Sequence, residues 1–328
     1  MLLLTHQDVA GLLSPREAID AVREGLAEQG AGEVQLPPRT TVDATSSPTW
    51  LRLMPVILNR SGYMGFKAMH STPKVGVRYY VALYEMSSGQ LLAQIDADWL
   101  TIQRTAATVA VATDALANPE VEELGVLGSS EQAQGLVRAV SAVRSFRRAR
   151  VFSPNPEHRS AFARTIQSEL GIEASAVDSP DQIAGADVVC VAIRAGLEPV
   201  FKPEWLKPGA HYNGMSAVRP EAREVEDGVW SRADVVVVDD RGHVLESGDG
   251  RGGLASGQLQ EERMAELWQI VGGQRKGRER SDQITLFKSV GTAVQDMSLS
   301  AAIYRKAKER GIGRDLGDFP HLRPFGRQ

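Results

Sequence analysis

Cysteine, long apolar runs and an excess of either charge are all missing from this sequence. One cysteine among 328 residues cannot form an internal disulfide or supply a site of several thiolates. Cys190 stands in the apolar run 188–192, where a buried, inert thiol is expected. The 37 basic and 41 acidic side chains give a net charge of −4, which does not favour nucleic acid or an anionic membrane as partner. Collagen, disulfide scaffolds and disordered tails are excluded by the same composition.

Signals for export, membrane insertion and metal binding are missing too. No stretch approaches the roughly 18 uninterrupted apolar residues of a membrane span, and polar residues from His6 interrupt the apolar start, so no signal peptide is expected. The six histidines lack metal-binding spacing, and no serine lies in a G-x-S-x-G turn. We therefore expect a cytoplasmic protein with no metal, no nucleic-acid partner and no membrane partner.

The length is enough for about two domains of roughly 150 residues, each able to bury its own core. In the first 116 residues, a capping box at Ser14–Glu17 with proline at N1 predicts the start of a helix. Glycines at 30 and 32 end that helix. Runs rich in aromatic and β-branched residues then predict strands at 50–54, 78–85 and 91–95, with a turn at 87–90 and a helix at 100–116.

From Asn118-Pro119 to about residue 240, short apolar runs alternate with helical segments. The nearly continuous apolar runs 187–193 and 233–239 are typical of parallel strands buried on both faces. Strand–helix alternation at this spacing predicts right-handed βαβ units in a doubly wound sheet. The remaining predictions are strands at 124–128, 149–153, 172–177 and 284–291, a helix from 129, a helix from Asn155 to Gly171, a Gly-rich loop at 247–253, a helical segment at 265–271, and a last helix at 296–310 with Asp296 as its cap.

A turn able to bind phosphate follows the first strand of this alternating region. It has the sequence GSSEQA (128–133) and lies between a strand and a helix, where free backbone N–H groups and the helix dipole attract a pyrophosphate. The dinucleotide fingerprint is G-x-G-x-x-G/A, and here Ser130 replaces its middle glycine. Gly128 would make the tight turn and Ala133 the close helix contact. The alternative is an ordinary strand–helix turn.

The end of the second strand indicates which nicotinamide dinucleotide is bound. A carboxylate there would hold the ribose 2′-hydroxyl of NAD, but the sequence has Ser153, Asn155 and Arg159 instead. Small polar groups with a nearby arginine suit a 2′-phosphate, so NADP is favoured over NAD. The alternative for Arg159 is a solvated helix arginine.

Several segments together match one family in order and spacing. The chain resembles the ornithine cyclodeaminase/mu-crystallin family over nearly its whole length. The matching segments are ProProArg (37–39), LeuMetPro (53–55), GlyPheLys (65–67), SerSerGlyGln (87–90), ArgThrAlaAla (104–107), the GSSEQA turn, SerGlyAsp (247–249) and ThrLeuPheLysSerValGly (285–291).

The resemblance implies a fold and a division of the chain. It implies a Rossmann doubly wound sheet inserted into an α/β domain that binds substrate and forms a homodimer. The dinucleotide-binding insert would be 116–295. The substrate-binding and dimerisation domain would be 1–115 with 296–328.

The resemblance also implies site residues. Arg39, Lys67 and Arg104 would surround the carboxylate and α-carbon of the substrate, with Lys67 and Arg104 catalytic. A guanidinium fork suits a carboxylate, and a lysine ammonium can donate a hydrogen bond or proton to the reacting group. Taken singly, each could be a surface charge. The residues expected to bind the cofactor are Thr105, Gly128, Ser129, Ser130, Glu131, Gln132, Ala133, Ser153, Asn155, Arg159, Ala192, Ser289, Val290 and Gly291.

One departure from the family pattern bears on the reaction. Cyclodeaminases carry an aspartate ahead of a Pro and a Glu after the fifth strand. Aligning Pro220 and Glu224 puts Val218 at that position, and a shifted register puts Ser216 there. Neither is a carboxylate. We therefore expect an NAD(P)H-dependent reductase that transfers hydride to the C=N bond of an α-imino acid or cyclic ketimine, or that reductively aminates an α-keto acid.

Two alternatives remain at this stage. One is another reaction of the family, either ornithine cyclodeamination or oxidation of an amino acid by an alanine-type dehydrogenase. The other is an NADP-bound protein that binds a small ligand, as in the mu-crystallin branch. Keto, imino or amino acids would be the small-molecule partners of the enzymes.

Overall fold

The computed structural model describes residues 1–72 and 75–323. Its strands are β1 (Leu2–Leu4), β2 (Val34–Gln35), β3 (Thr40–Asp43), β4 (Trp50–Leu58), β5 (Tyr63–Thr72), β6 (Gly76–Glu85), β7 (Leu91–Asp96), β8 (Glu123–Leu127), β9 (Arg148–Phe152), β10 (Glu173–Ala176), β11 (Val188–Val191), β12 (His211–Gly214), β13 (Val235–Val238), β14 (Met264–Glu266), β15 (Thr285–Lys288) and β16 (Arg314–Asp315). Its helices are α1 (His6–Val9), α2 (Pro15–Gly30), α3 (Asp98–Leu116), α4 (Glu131–Ser141), α5 (Pro156–Leu170), α6 (Gly228–Arg232), α7 (Arg241–Glu246), α8 (Gly248–Ala255), α9 (Leu267–Val271) and α10 (Ala293–Arg310).

The chain divides into two compact units. The first comprises Met1–Arg104 with Thr292–Gln328, and the second comprises Thr105–Gly291. The division falls inside α3, whereas the boundary expected at residue 115 falls at the end of that helix. In the described part of the chain, no helix is long and apolar enough to cross a membrane.

A largely antiparallel sheet forms the framework of the first unit. Its strand order is β16-β1-β7-β6-β5-β4-β2, with β3 also paired to β4. Helix α2 begins at the predicted capping box, where Ser14 Oγ accepts from the Glu17 N–H at 3.2 Å and the Glu17 carboxylate accepts from the Ser14 N–H at 2.8 Å. The buried face of α2 includes Ile19, Val22 and Leu26, and each such side chain contributes about 1.5–3 kcal/mol when fully buried.

A parallel sheet of eight strands forms the framework of the second unit, in the order β10-β9-β8-β11-β12-β15-β13-β14. This is the predicted doubly wound sheet, with its central strands buried on both faces as their apolar sequences require. Cys190 lies buried on β11, and burial raises the pKa of its thiol to about 12. The predicted inert thiol is therefore present.

The glycine-rich segment 247–253 is helical, so the predicted loop is wrong. Helix α7 ends just before it and α8 covers it, with Ser247 Oγ capping α8 by accepting from the Gly250 N–H at 3.2 Å. Gly248 is required by close packing, because a Cβ there would lie 2.2 Å from the Ala222 carbonyl oxygen. Glycine here allows backbone contact between elements and does not indicate a flexible chain.

The last helix begins earlier than predicted. Thr292 occupies the N-cap of α10, and Gln295 completes its capping box. Asp296 therefore lies within the first helical turn and is not the cap, which corrects the prediction for this residue. The predicted end is confirmed, since Gly311 adopts the left-handed conformation at φ 63°.

Candidate functional site

Lys67 is a buried lysine in the middle of β5, in the first unit. Its neighbours across the sheet are Met54 on β4 and Val81 on β6, and its side chain is 1% exposed. The ammonium donates to Thr101 Oγ1 at 2.7 Å and to Asp296 Oδ1 at 3.0 Å. It also lies 5.1 Å from the centre of the Tyr79 ring. Lys67 is therefore a buried, paired cation, and the alternative that it is a surface charge is wrong.

Arg104 contacts the same carboxylate oxygen as Lys67. Its Nε lies 3.1 Å from Asp296 Oδ1, and its Nη1 donates to Gln295 Oε1 at 2.9 Å. The second oxygen, Asp296 Oδ2, is buried and has no hydrogen-bond partner within the described residues. A buried charge needs pairing to offset its desolvation. Here two cations pair with one carboxylate, which leaves an excess of positive charge.

The environment moves the pKa of Lys67 towards neutrality. This pKa is lowered to about 8, chiefly by burial and in part by Arg104 and Arg39, while the attraction of Asp296 opposes the change. Burial likewise raises the pKa of the Tyr79 hydroxyl, with a smaller contribution from Asp98. A lysine that titrates near neutral pH is suited to donate a proton in a reaction.

Arg39 is the third predicted cation of this group. It lies half-buried immediately before β3 and is near enough to Lys67 to influence its pKa. The structure thus brings the three predicted substrate-binding cations into one unit.

Sequence reasoning missed four side chains of this cluster: Asp296, Gln295, Thr101 and Tyr79. The sequence around Asp296 could have indicated that this aspartate is buried. Asp296 stands in a run of small and apolar residues on α10, where a carboxylate with no nearby basic residue in sequence must find a distant partner if it is buried.

The GSSEQA turn lines a cavity in the second unit. Gly128 has φ +116°, and a Cβ there would lie 2.1 Å from the carbonyl oxygen of Ala192, so only glycine fits. Ser130 caps α4 by accepting from the Ala133 N–H at 3.4 Å. Ser129 Oγ donates to Ser153 Oγ at 3.0 Å. The turn therefore has the geometry that a pyrophosphate requires at a helix N-terminus.

The cavity has a volume of 690 Å³ and joins the ends of β8, β9, β11 and β12. Its lining includes seven of the predicted cofactor residues: Gly128, Ser129, Ser130, Gln132, Ser153, Asn155 and Ala192. It also includes residues that were not predicted: Leu127, Phe152, Pro154, His158, Ile193, Arg194, Val200, Met215 and Ser216.

The other predicted cofactor residues lie elsewhere. Glu131 and Ala133 belong to the first turn of α4, and Thr105 is buried in α3. Ser289 Oγ donates to Asp239 at 2.7 Å, and the N–H groups of Val290 and Gly291 each donate to the same carboxylate at 2.9 Å.

Arg159 is buried and is not a solvated helix arginine. It donates to the Ser153 carbonyl at 3.0 Å and pairs with Asp178, and its guanidinium lies 5.8 Å from the Phe152 ring centre. These contacts fix the end of β9, and Arg159 is outside the cavity lining. Asn155 caps α5 by accepting from the N–H groups of Glu157 and His158.

The segment that lacks the cyclodeaminase aspartate borders the same cavity. Ser216 lies on the lining, and its hydroxyl accepts from the Ile193 N–H at 2.9 Å. Val218 is 38% exposed. Glu224 holds this segment, since its carboxylate accepts from the Ser216 N–H at 2.5 Å and from the Tyr212 hydroxyl at 2.6 Å.

A buried lysine balances Glu224. Lys288 Nζ lies 3.3 Å from Glu224 Oε1 and 2.8 Å from Asp249 Oδ2. Burial opposes the charge on Lys288, but Glu224 and Asp249 together raise its pKa above the ordinary lysine value. The SerGlyAsp and ThrLeuPheLysSerValGly segments thus meet in one ion-pair network that supports the wall of the cavity.

The residues of this cavity fit a nicotinamide dinucleotide. A turn that only glycine fits at residue 128, a capped helix of 11 residues and a cavity at the strand ends are the features such a cofactor uses. Among the described residues no group of three or more His, Cys, Asp or Glu side chains could hold a metal ion.

Comparison with known proteins identifies the family of this chain and solved structures of the same fold. The family model of the ornithine cyclodeaminase/mu-crystallin family matches residues 1–311. The Delta(1)-pyrroline-2-carboxylate reductase of Bacillus cereus is 32% identical over 325 residues, covering 96% of this chain and 99% of the relative. Delta(1)-pyrroline-2-carboxylate reductase of Thermococcus litoralis, solved with NADH and L-proline, superposes with a TM-score of 0.90 at 33% identity, covering 96% of this chain and 100% of that chain.

An archaeal alanine dehydrogenase dimer with bound NAD superposes equally well. Its TM-score is 0.90 at 27% identity, and the match covers 97% of this chain and 99% of that chain. The predicted Rossmann sheet inserted into a second α/β domain is therefore confirmed. The chain belongs to the ornithine cyclodeaminase/mu-crystallin family.

Proposed function

We propose that this protein is an NAD(P)H-dependent oxidoreductase that reduces the C=N bond of an α-imino acid, with a cyclic ketimine as its preferred substrate. The observation that carries the proposal is the buried cluster in which Lys67 and Arg104 share Asp296. An imino acid needs a cation for its carboxylate and a proton for its nitrogen, and this cluster offers both.

In this proposal the guanidinium groups of Arg104 and Arg39 bind the substrate carboxylate, because a planar fork matches its two oxygens. Lys67 donates a proton to the imine nitrogen, for which a pKa of about 8 is suitable. The cofactor, when bound in the cavity of the second unit, supplies the hydride. Fixing the substrate against these groups supplies much of the rate enhancement.

The substrate class is supported by the relatives that act on Delta(1)-pyrroline-2-carboxylate. The direct experiment follows NADPH and NADH oxidation by purified protein with Delta(1)-pyrroline-2-carboxylate, with a six-membered cyclic ketimine, and with pyruvate plus ammonia. We expect turnover on the cyclic imines to exceed turnover on the keto acid with ammonia. Activity confined to pyruvate and ammonia would instead identify an alanine-type dehydrogenase.

Ornithine is the discriminating control for the cyclodeaminase reaction. The segment 216–218 offers no carboxylate, and Ser216 is hydrogen-bonded to the backbone. We expect no proline from ornithine with catalytic amounts of NAD. Proline formation would overturn the reductase assignment. Tight nucleotide binding without turnover on any imine or keto acid would favour the small-ligand-binding role.

We propose NADP as the preferred cofactor. The solved relatives above contain NADH or NAD, so the preference rests on this chain's own residues. The cavity lining contains Ser153, Asn155, His158 and Arg194 and has no Asp or Glu among its described residues. A 2′-phosphate is favoured by such a lining, whereas a ribose hydroxyl loses its usual carboxylate partner. The test compares the Kd values of NADPH and NADH, each measured by protein fluorescence against a control without nucleotide.

We also propose a homodimer built on the substrate-binding domain, 1–115 with 296–328, with 116–295 as the dinucleotide-binding domain. Large side chains on one face of β3, β4 and β6 are exposed, among them Val42 (62%), Leu51 (46%) and Tyr80 (39%). A contiguous exposed apolar surface is typical of an interface. Light scattering on the wild type and on Leu51→Asp tests this, with a monomeric wild type as the contradicting result.

We also propose a cytoplasmic location, which rests on the sequence.

A further inference from the structure

The buried carboxylate of Asp296 is the only acidic group that directly contacts Lys67 among the described residues. It comes from α10, whereas Lys67 lies on β5 and Arg104 on α3. Asp296 is itself 1% exposed. It therefore cannot exchange its partners for water, and its negative charge acts on both cations without screening by solvent.

We propose that Asp296 is a positioning residue for the reduction: its Oδ1 fixes Lys67 and Arg104 relative to each other and keeps the Lys67 ammonium charged until it gives a proton to the imine. This inference rests on the proposed function for its chemical consequence. Its structural part, the control of Lys67 by Asp296, stands independently of the substrate.

The geometry gives Asp296 this role in two ways. A single oxygen accepts from Lys67 Nζ at 3.0 Å and lies 3.1 Å from Arg104 Nε, so neither cation can move without loss of a charged contact. Thr101 adds a second, neutral acceptor to Lys67, and the Thr101 hydroxyl is itself directed to the Ala97 carbonyl. The ammonium is thus held from two sides, by α10 and by α3.

The other charged and titratable groups around Lys67 oppose Asp296 or are neutral. Arg104 on α3 and Arg39 before β3 both disfavour the ammonium. Tyr79 on β6 presents its ring face, and burial together with Asp98 raises the pKa of its hydroxyl, so it stays neutral. Removing the negative charge of Asp296 would leave Lys67 buried among cations alone.

The proton balance of the step is simple. As the imine carbon receives the hydride, the π pair of the C=N bond moves to nitrogen, which takes a proton from Lys67 Nζ. The nicotinamide is oxidised and the imine is reduced to an amine. Lys67 is left neutral and regains its proton from solvent, with Asp296 favouring the recharged form.

The test compares Asp296→Asn with wild type in two measurements. In the kcat/KM profile against pH, wild type should lose activity as pH rises through about 8. In Asp296→Asn this basic limb should move to lower pH by about 1–3 units, the usual effect of an opposite charge at this distance. Asp20→Asn, which removes an exposed carboxylate from α2, should leave the limb in place.

The second measurement does not depend on activity. Titration of Lys67 Nζ by NMR in 15N-lysine-labelled protein, assigned with Lys67→Arg, should show the same downward shift in Asp296→Asn. A Lys67 titration unchanged by Asp296→Asn in a folded protein overturns the inference. A shifted NMR titration without imine turnover in the wild type would support Asp296 control of Lys67 and reject the proposed reaction. If Asp296→Asn does not fold, Asp296→Glu is the second variant. It should fold and keep the basic limb of the kcat/KM profile near its wild-type pH. A basic limb displaced in Asp296→Glu by the roughly 1–3 units expected for Asp296→Asn would overturn the inference.

Discussion

Lys67 and Arg104 contact one and the same oxygen atom, Oδ1 of Asp296, although 229 positions separate Lys67 from Asp296. Two buried cations on one buried carboxylate leave positive charge in excess. A substrate carboxylate would neutralise that excess. This arrangement therefore favours a small anionic substrate.

Lys67→Met should reduce kcat on a cyclic imino acid by about 10²–10⁴-fold, the usual contribution of a positioned proton donor. Methionine has nearly the same volume, and Arg104 still pairs with Asp296, so we expect the fold to persist. Steady-state kinetics and thermal unfolding by circular dichroism are the measurements. Lys308→Met, at an exposed position on α10, is the matched control and should keep full activity. Unimpaired turnover in Lys67→Met would remove Lys67 from the mechanism.

Gly128→Ala should weaken binding of either nicotinamide dinucleotide strongly. An alanine Cβ would lie 2.1 Å from the Ala192 carbonyl oxygen at a φ of +116°, so the turn must rearrange. The measurement is the Kd of NADPH and NADH by fluorescence titration. Gly171→Ala is the control, because it also forces alanine into positive φ, at 68°, but in open space at the end of α5. It should lower the free energy of unfolding by about 1–2 kcal/mol, with cofactor affinity intact.

Asn155→Asp should lower the preference for NADPH over NADH by about tenfold or more, since like charges brought together cost more than 1.4 kcal/mol. The substitution places a carboxylate at the end of β9 and preserves the cap of α5, because aspartate and asparagine cap helices equally well. The ratio of kcat/KM values for the two cofactors is the measurement. Asn155→Ser keeps a cap without the charge and should change the ratio little. An unchanged ratio in Asn155→Asp would place the 2′ position elsewhere.

Lys288→Met should lower the free energy of unfolding by about 3–5 kcal/mol, because it removes the cation paired with the buried Glu224 and leaves Asp249 with only the Arg223 guanidinium, whose Nε lies 3.5 Å away. The loss should appear in urea unfolding followed by circular dichroism. Lys207→Met is the control: Lys207 pairs with Asp187, but its side chain is 41% exposed, so its loss should cost only about 0–1 kcal/mol. Equal stability of the two variants would show that the network at Lys288 is not needed for folding.

Local patterns in the sequence were enough for the elements that depend on neighbours in the chain. The capping box at Ser14, the cap at Asn155 with Gly171 at the end of the same helix, and the apolar parallel strands follow from contacts within a few residues. The resemblance to the family, which short segments of the sequence carry, predicted in addition that one domain is inserted into the other. The segment 247–253 shows the limit of composition, because glycine permits close packing as readily as a flexible loop.

Tertiary structure alone decided which polar residues share a site. By itself the sequence determined a doubly wound sheet, a glycine turn suited to phosphate and the absence of a carboxylate after β9. It presented Asp296 as a helix cap and Arg159 as a cofactor ligand or a solvated arginine. Folding buries Asp296 against Lys67 and Arg104, and it buries Arg159 against Ser153 and Asp178. The reason is that a charge inside a protein must find an opposite charge, and that partner can lie anywhere along the chain.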